Sequence, residues 1–168
     1  MNRIFALLAA VSLVISTPAF ADDVPAPIGE VILAISGQIS ATNVGDELHL
    51  DRDALMAIGM RTIETTTIWT EGVQVFEGVP LVALMQLLNV EEGRLLATAI
   101  NDYTIEIPVS DAIDGGPMIA VMLNSEQMSI RDKGPLWMIY PYDQSAAYRS
   151  EVIYSRSIWQ LDRIEVIR

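Results

Sequence analysis

The sequence predicts an α+β fold with a mostly β core and a few short helices. Two observations predict it. Short runs dense in Val, Ile, Thr and aromatic residues recur along the chain, each stopped by Gly, Pro, Asn or Asp. Between them, only two clear segments place apolar residues at helical spacing. A hydrophobic fraction of 51% over 168 residues is enough to build one folded core.

Residues 1–21 read as a secretory signal. Arg3 is the positive start, Ile4 to Ile15 the apolar stretch, and Ala19-Phe20-Ala21 a small-x-small cleavage site. The expected compartment is the bacterial periplasm. No Cys follows the cleavage site, so a lipoprotein anchor is excluded. Residues 22–29, with Pro25 and Pro27, form an exposed leader. One domain covers residues 30–168.

Within that domain, Glu30 to Ser36 is a β-branched run with a kink at Gly37, continued by Gln38 to Ser40. Glu47 to Leu50 directs Leu48 and Leu50 inward. Asp51 caps a helix over Arg52 to Ile58, with Leu55, Met56 and Ile58 on its apolar side. Arg61 to Thr70, rich in Thr and Ile, is a strand. Val73 to Phe76 is a short strand, Glu77-Gly78 a turn, and Pro80 opens a helix over Leu81 to Leu88. Leu81, Leu84, Met85 and Leu88 form its buried stripe.

Leu95 to Ile100 and Tyr103 to Val109 make a hairpin through Asn101-Asp102. Ser110 caps a single helical turn through Ile113. Met118 to Leu123 is a buried strand and Gln127 to Ile130 a shorter one. Gln144 to Ser150 is a loop or irregular helix, and Ser157 to Gln160 strand or turn. Leu161 to Ile167 closes the fold as a strand.

The stretch Arg131 to Asp143, RDKGPLWMIYPYD, combines these signals. Pro135 and Pro141 bracket the apolar run Leu136 to Tyr140 and stand outside its ladder. Cations and an acid lie at one end of this strand, two tyrosines and an acid at the other.

Composition removes whole classes of chemistry. A net charge of −12 argues against nucleic acid and anionic lipid as main partners. The absence of cysteine rules out disulfides, thiolate metal sites and a cysteine nucleophile. The single histidine, His49, builds neither a zinc site alone nor a serine triad.

Five pieces recur in a telling order: Thr67-Ile68-Trp69-Thr70, Phe76-Glu77-Gly78-Val79-Pro80-Leu81, Asn101-Asp102-Tyr103, Arg131 to Trp137 with Tyr140-Pro141, and Ile158-Trp159-Gln160-Leu161. Together they resemble the molybdopterin-binding domain of sulfite-oxidase-like oxidoreductases, in a short secreted form covering residues 30–168. The resemblance implies the α+β, mostly β fold of that family. It also implies a cysteine ligand to molybdenum just after the strand that ends near Thr70, and this sequence has none. A narrower resemblance follows, to small periplasmic pterin-binding proteins that partner the sensory domain of membrane-bound cyclic-di-GMP enzymes. That resemblance implies a non-catalytic protein binding a reduced, metal-free pterin and no molybdenum. A molybdopterin-dependent oxidoreductase and a ligand-free interaction scaffold are the alternatives.

A pterin needs an aromatic face and groups that pair with its polar edge. The candidates are Trp69 for stacking, Asp102 and Tyr103 at the hairpin tip, Arg131 and Lys133 before Gly134-Pro135, Tyr140 as core or pocket, and Arg156. A core tryptophan is the competing reading for Trp69, a solvated turn for Asp102, and a surface ion pair for Arg156. Trp137 and Trp159 read as packing residues.

Overall fold

The computed structural model describes residues 24–168. The signal reading of residues 1–21 lies outside them. Residues 24–29 carry no regular element, yet they are tied down. Asp51 Oδ2 accepts hydrogen bonds from Ile28 N at 3.0 Å and Gly29 N at 2.8 Å.

Two five-stranded sheets form the fold. The first contains β1 (Val31–Gly37), β2 (Leu48–Asp51), β5 (Arg94–Ala99), β6 (Thr104–Pro108) and β10 (Leu161–Ile167), in the order β2-β1-β10-β5-β6. Only β1 and β10 run parallel, with Ala34 opposite Arg163. The second contains β3 (Arg61–Thr66), β4 (Val73–Pro80), β7 (Met118–Leu123) and β8 (Glu126–Gln127) in that order, with β9 (Trp137–Ile139) also paired to β7. Helices α1 (Arg52–Ala57), α2 (Leu81–Leu88) and α3 (Glu151–Arg156) connect strands.

Local chemistry explains most boundaries. Asp51 Oδ1 accepts from Ala54 N at 2.8 Å and so caps α1. Asn89, at φ 53°, ends α2 in the left-handed region where Asn is tolerated. Leu81, Leu84, Met85 and Leu88 are all buried, as their spacing predicts. Leu48 and Leu50 are fully buried on β2.

Several sequence expectations differ from the structure, and Ser110 lies inside the 3-10 turn Val109–Asp111 instead of capping one. The strand expected over Arg61 to Thr70 stops at Thr66, because Thr67 turns the chain: its Oγ1 accepts from Trp69 N at 3.0 Å. The turn expected at Glu77-Gly78 is instead the middle of β4. Gly78 is there for close approach, since a Cβ would meet the Ile119 carbonyl and lie 2.6 Å from Ala120 Cα. The strand expected over Gln127 to Ile130 shrinks to Glu126–Gln127. Helix α3, capped by Ser150 Oγ from Ile153 N at 3.4 Å, falls in a segment without clear period.

The joint between the sheets positions the site. One edge of β9 pairs with β7, and the other takes the segment 157–161. Met138 N donates to Ile158 O at 2.8 Å and Leu161 N to Leu136 O at 3.0 Å. That segment runs straight into β10 of the first sheet.

Candidate functional site

At this joint an open cleft of about 470 Å³ is walled by aromatic side chains. Ile68 and Trp69 come from the β3–β4 loop, and Asn101 and Tyr103 from the β5–β6 turn. Tyr154 and Ser155 come from α3. Ile158, Trp159 and Gln160 come from the segment that joins the sheets.

Trp69 is half-buried at the centre of an edge-to-face cluster. Its ring centroid lies 5.7 Å from Trp137, 5.8 Å from Tyr154 and 5.8 Å from Trp159. These are stabilising aromatic geometries, and they leave Trp69 in the wall of the cleft. Its loop is fixed by the Thr67–Thr70 hydroxyl pair at 2.7 Å. Below the cleft, buried Ser157 ties the cluster together. Its carbonyl accepts from Trp137 Nε1 at 3.1 Å, and its Oγ accepts from the Tyr142 hydroxyl at 2.6 Å. Burial pushes the Tyr142 hydroxyl up to about 12, so it remains a neutral donor.

Two amides supply polarity. Asn101 Oδ1 accepts from Tyr103 N at 3.2 Å, and Gln160 Nε2 donates to Ile130 O at 2.6 Å. Asn101 Nδ2 and Gln160 Oε1 carry no hydrogen bond within the described residues, and both amides belong to cleft-lining residues. Lys133 lies beside this wall, its Nζ 4.4 Å from the Trp159 ring centroid and 5.2 Å from that of Trp137.

The structure therefore brings Trp69 and Tyr103 into the cleft and sets Lys133 against the Trp159 ring, outside the lining. The other candidates are elsewhere, and the reasons are geometric. Asp102 turns away, at φ 65°, and pairs with Arg163 Nη2 at 2.7 Å beside a separate groove. Arg131 is exposed on the loop before Gly134 and does not line the cleft. Tyr140 is fully buried, its hydroxyl 2.7 Å from Asp111 Oδ2, and Arg156 Nη1 reaches the same oxygen at 3.0 Å. Tyr140 and Arg156 thus serve a structural triad with Asp111 and not the cleft. Trp137 is core, whereas Trp159 is a cleft wall as well as a packing residue.

Ile68, Asn101, Ser155 and Gln160 were not singled out by sequence. Each lies in a turn or at an element end, and their convergence depends on the pairing of segment 157–161 with β9. A larger groove of about 850 Å³ lies against residues 24–30 and α1, but no aromatic side chain lines it. Among the described residues no three His, Cys, Asp or Glu side chains gather as a metal site.

No family model matches the sequence, and no curated protein sequence matches it. The structure is similar to the crystal structure of the sulfane dehydrogenase SoxCD from Paracoccus pantotrophus, with a TM-score of 0.58 and 16% identity. The likeness covers 80% of this chain and 37% of that one. The chain has a sulfite-oxidase-like α+β fold. At this identity the likeness speaks for the fold alone. The sulfite-oxidase-like frame places the aromatic cleft where its two sheets meet, at the segment between α3 and β10.

Proposed function

We propose that this chain is a non-catalytic binding protein whose aromatic cleft takes a reduced, metal-free pterin. In this reading it works in the periplasm and reports ligand occupancy to the sensory domain of a membrane-bound cyclic-di-GMP enzyme. The observation that carries the proposal is the convergence of Trp69, Tyr103 and Trp159 with the amide-bearing residues Asn101 and Gln160 around one cleft.

A volume of about 470 Å³ is within the range of small-molecule sites, which run roughly from 300 to 1,000 Å³. Aromatic walls suit a flat heterocycle, and an amide donor and acceptor suit its polar edge. The donor set fits molybdenum poorly: the sequence has no thiolate to offer, and no Arg or Lys lines the cleft to hold a cofactor phosphate. The oxidoreductase reading is supported by the likeness to SoxCD, which is a likeness of fold. The periplasmic location and the membrane partner rest on the sequence resemblance and on the signal reading of residues 1–21.

Anaerobic calorimetric titration with tetrahydrobiopterin tests the proposal. One saturable site per chain, weakened about tenfold by Trp69→Phe, is the expected result. No binding heat, or equal binding by the variant, contradicts it.

A further inference from the structure

Exposed apolar side chains collect around the cleft mouth and extend beyond it. Ile68, Tyr103 and Trp159 border the cleft itself. Two more flank it, and Gln160 stitches them to the site: Ile100 N donates to Gln160 O at 2.9 Å, and Gln160 Nε2 holds Ile130 O. Ile100 and Ile130 do not line the cleft, so a ligand seated there leaves them in water.

Ile130 is not exposed by looseness. Its loop is cinched by Asp132 N and Gly134 N, which both donate to Ser129 O, at 3.0 and 2.9 Å. A Cβ on Gly134 would strike the Met128 carbonyl, so the loop is packed against its own backbone. Ile130 nevertheless shows 58% of its surface. A rigid loop that presents an apolar side chain to solvent is preorganised for contact.

On the Ile130 side the charge runs against that of the chain, and on the Ile100 side the exposed Asp102 is paired with Arg163. The Ile130 loop carries Arg131 and Lys133 against Asp132 alone, in a protein of net −12. The pattern fits an apolar protein surface edged with carboxylates. It disfavours a second copy of this chain and an anionic lipid surface, both of which the overall negative charge repels.

We propose that the Ile100–Ile130 rim is a docking face for a partner protein that presents an apolar residue flanked by Asp or Glu. The docked partner covers the cleft mouth. Its role as a reader of occupancy rests on the function proposed above.

The test places a photoreactive residue at Ile100 of the full chain in its native cells, with Val44 on the β1–β2 connection as control. The expected result is one adduct from Ile100, with a linked peptide that pairs an apolar residue with Asp or Glu. Val44 gives none, and Ile130→Glu lowers the Ile100 adduct about tenfold while tetrahydrobiopterin titration of Ile130→Glu is unchanged. The proposal is overturned by no adduct, equal adducts from both positions, a basic linked peptide, or an adduct with a second copy. Flotation of the chain with phosphatidylglycerol vesicles overturns it as well. If the wild-type chain takes no tetrahydrobiopterin while the adduct pattern holds, the docking face stands and the ligand reading alone fails.

Discussion

The Asp143 carboxylate receives both hydrogens that Thr66 offers, from the backbone N at 2.6 Å and from Oγ1 at 2.8 Å. Asp143 N in turn accepts no role in a ladder but donates to Thr65 Oγ1 at 3.1 Å. These bonds fasten the end of β3 to the chain just after Tyr142, and Trp69 is three residues beyond Thr66. The aromatic wall is therefore held in place by a carboxylate outside the cleft.

The Thr66 bonds, backbone first, hold the Asp143 carboxyl below its ordinary value of 3.8. A depressed folded value means that the tether is at full strength above the ordinary value. It is lost as pH falls through the lowered one. Hydrogen exchange of the Thr67–Gly72 loop should therefore accelerate only in acid below the ordinary carboxylate range. In Asp143→Asn the loop should exchange faster at neutral pH and lose that acid step. Unchanged protection in the variant contradicts the tether.

Trp69→Ala should both weaken ligand binding and cost stability, because Trp69 touches Trp137, Tyr154 and Trp159. The expected loss is about 3 kcal/mol, the low end for aromatic truncation, since the ring is only half-buried. Trp69→Phe should keep most of that stability. Urea unfolding of both variants beside their titrations separates the two effects.

The partly buried triad of Tyr140, Asp111 and Arg156 makes a different prediction. Burial first, then the bond to Asp111, pushes the Tyr140 hydroxyl well above its usual range, so it donates as a neutral group throughout. Tyr140→Phe leaves Asp111 paired with Arg156 and should cost about 1 kcal/mol. Asp111→Ala leaves the buried hydroxyl and the guanidinium without their partner and should cost about 3 kcal/mol. Chemical denaturation checks the order, and neither change should alter pterin affinity, because no member of the triad lines the cleft.

Gly78→Ala should destabilise by roughly 1 to 3 kcal/mol through overpacking at the β4–β7 pair. A neutral thermal shift would mean that the two strands can part at low cost.

Gly78 also shows where sequence reasoning reached its limit. A glycine after an acid reads as a turn, and only the partner strand reveals that it marks close approach. The helix α2 and the hairpin β5–β6 were legible because each carries its own period or turn signal, and β10 was read as the closing strand although both of its alternating sets mix polar and apolar residues. Helix α3 was not, since six residues with one buried side chain, Ile153, show no period; the Ser150 cap was its sole signal.

The cleft divides the same way. Trp69 and Tyr103 could be picked out as aromatic residues next to turns. Tyr140 and Arg156 looked equally apt, and only tertiary placement shows that both serve Asp111. Asn101, Gln160 and the wall role of Trp159 depend on segment 157–161 pairing with β9, a contact with no local signature.

The most direct test is anaerobic mass spectrometry of the chain purified from its native compartment, with metal analysis of the same sample. The account predicts one free reduced pterin per chain and no molybdenum, with less pterin retained by Trp69→Phe. Stoichiometric molybdenum with its pyranopterin would contradict it and return the cleft to redox chemistry.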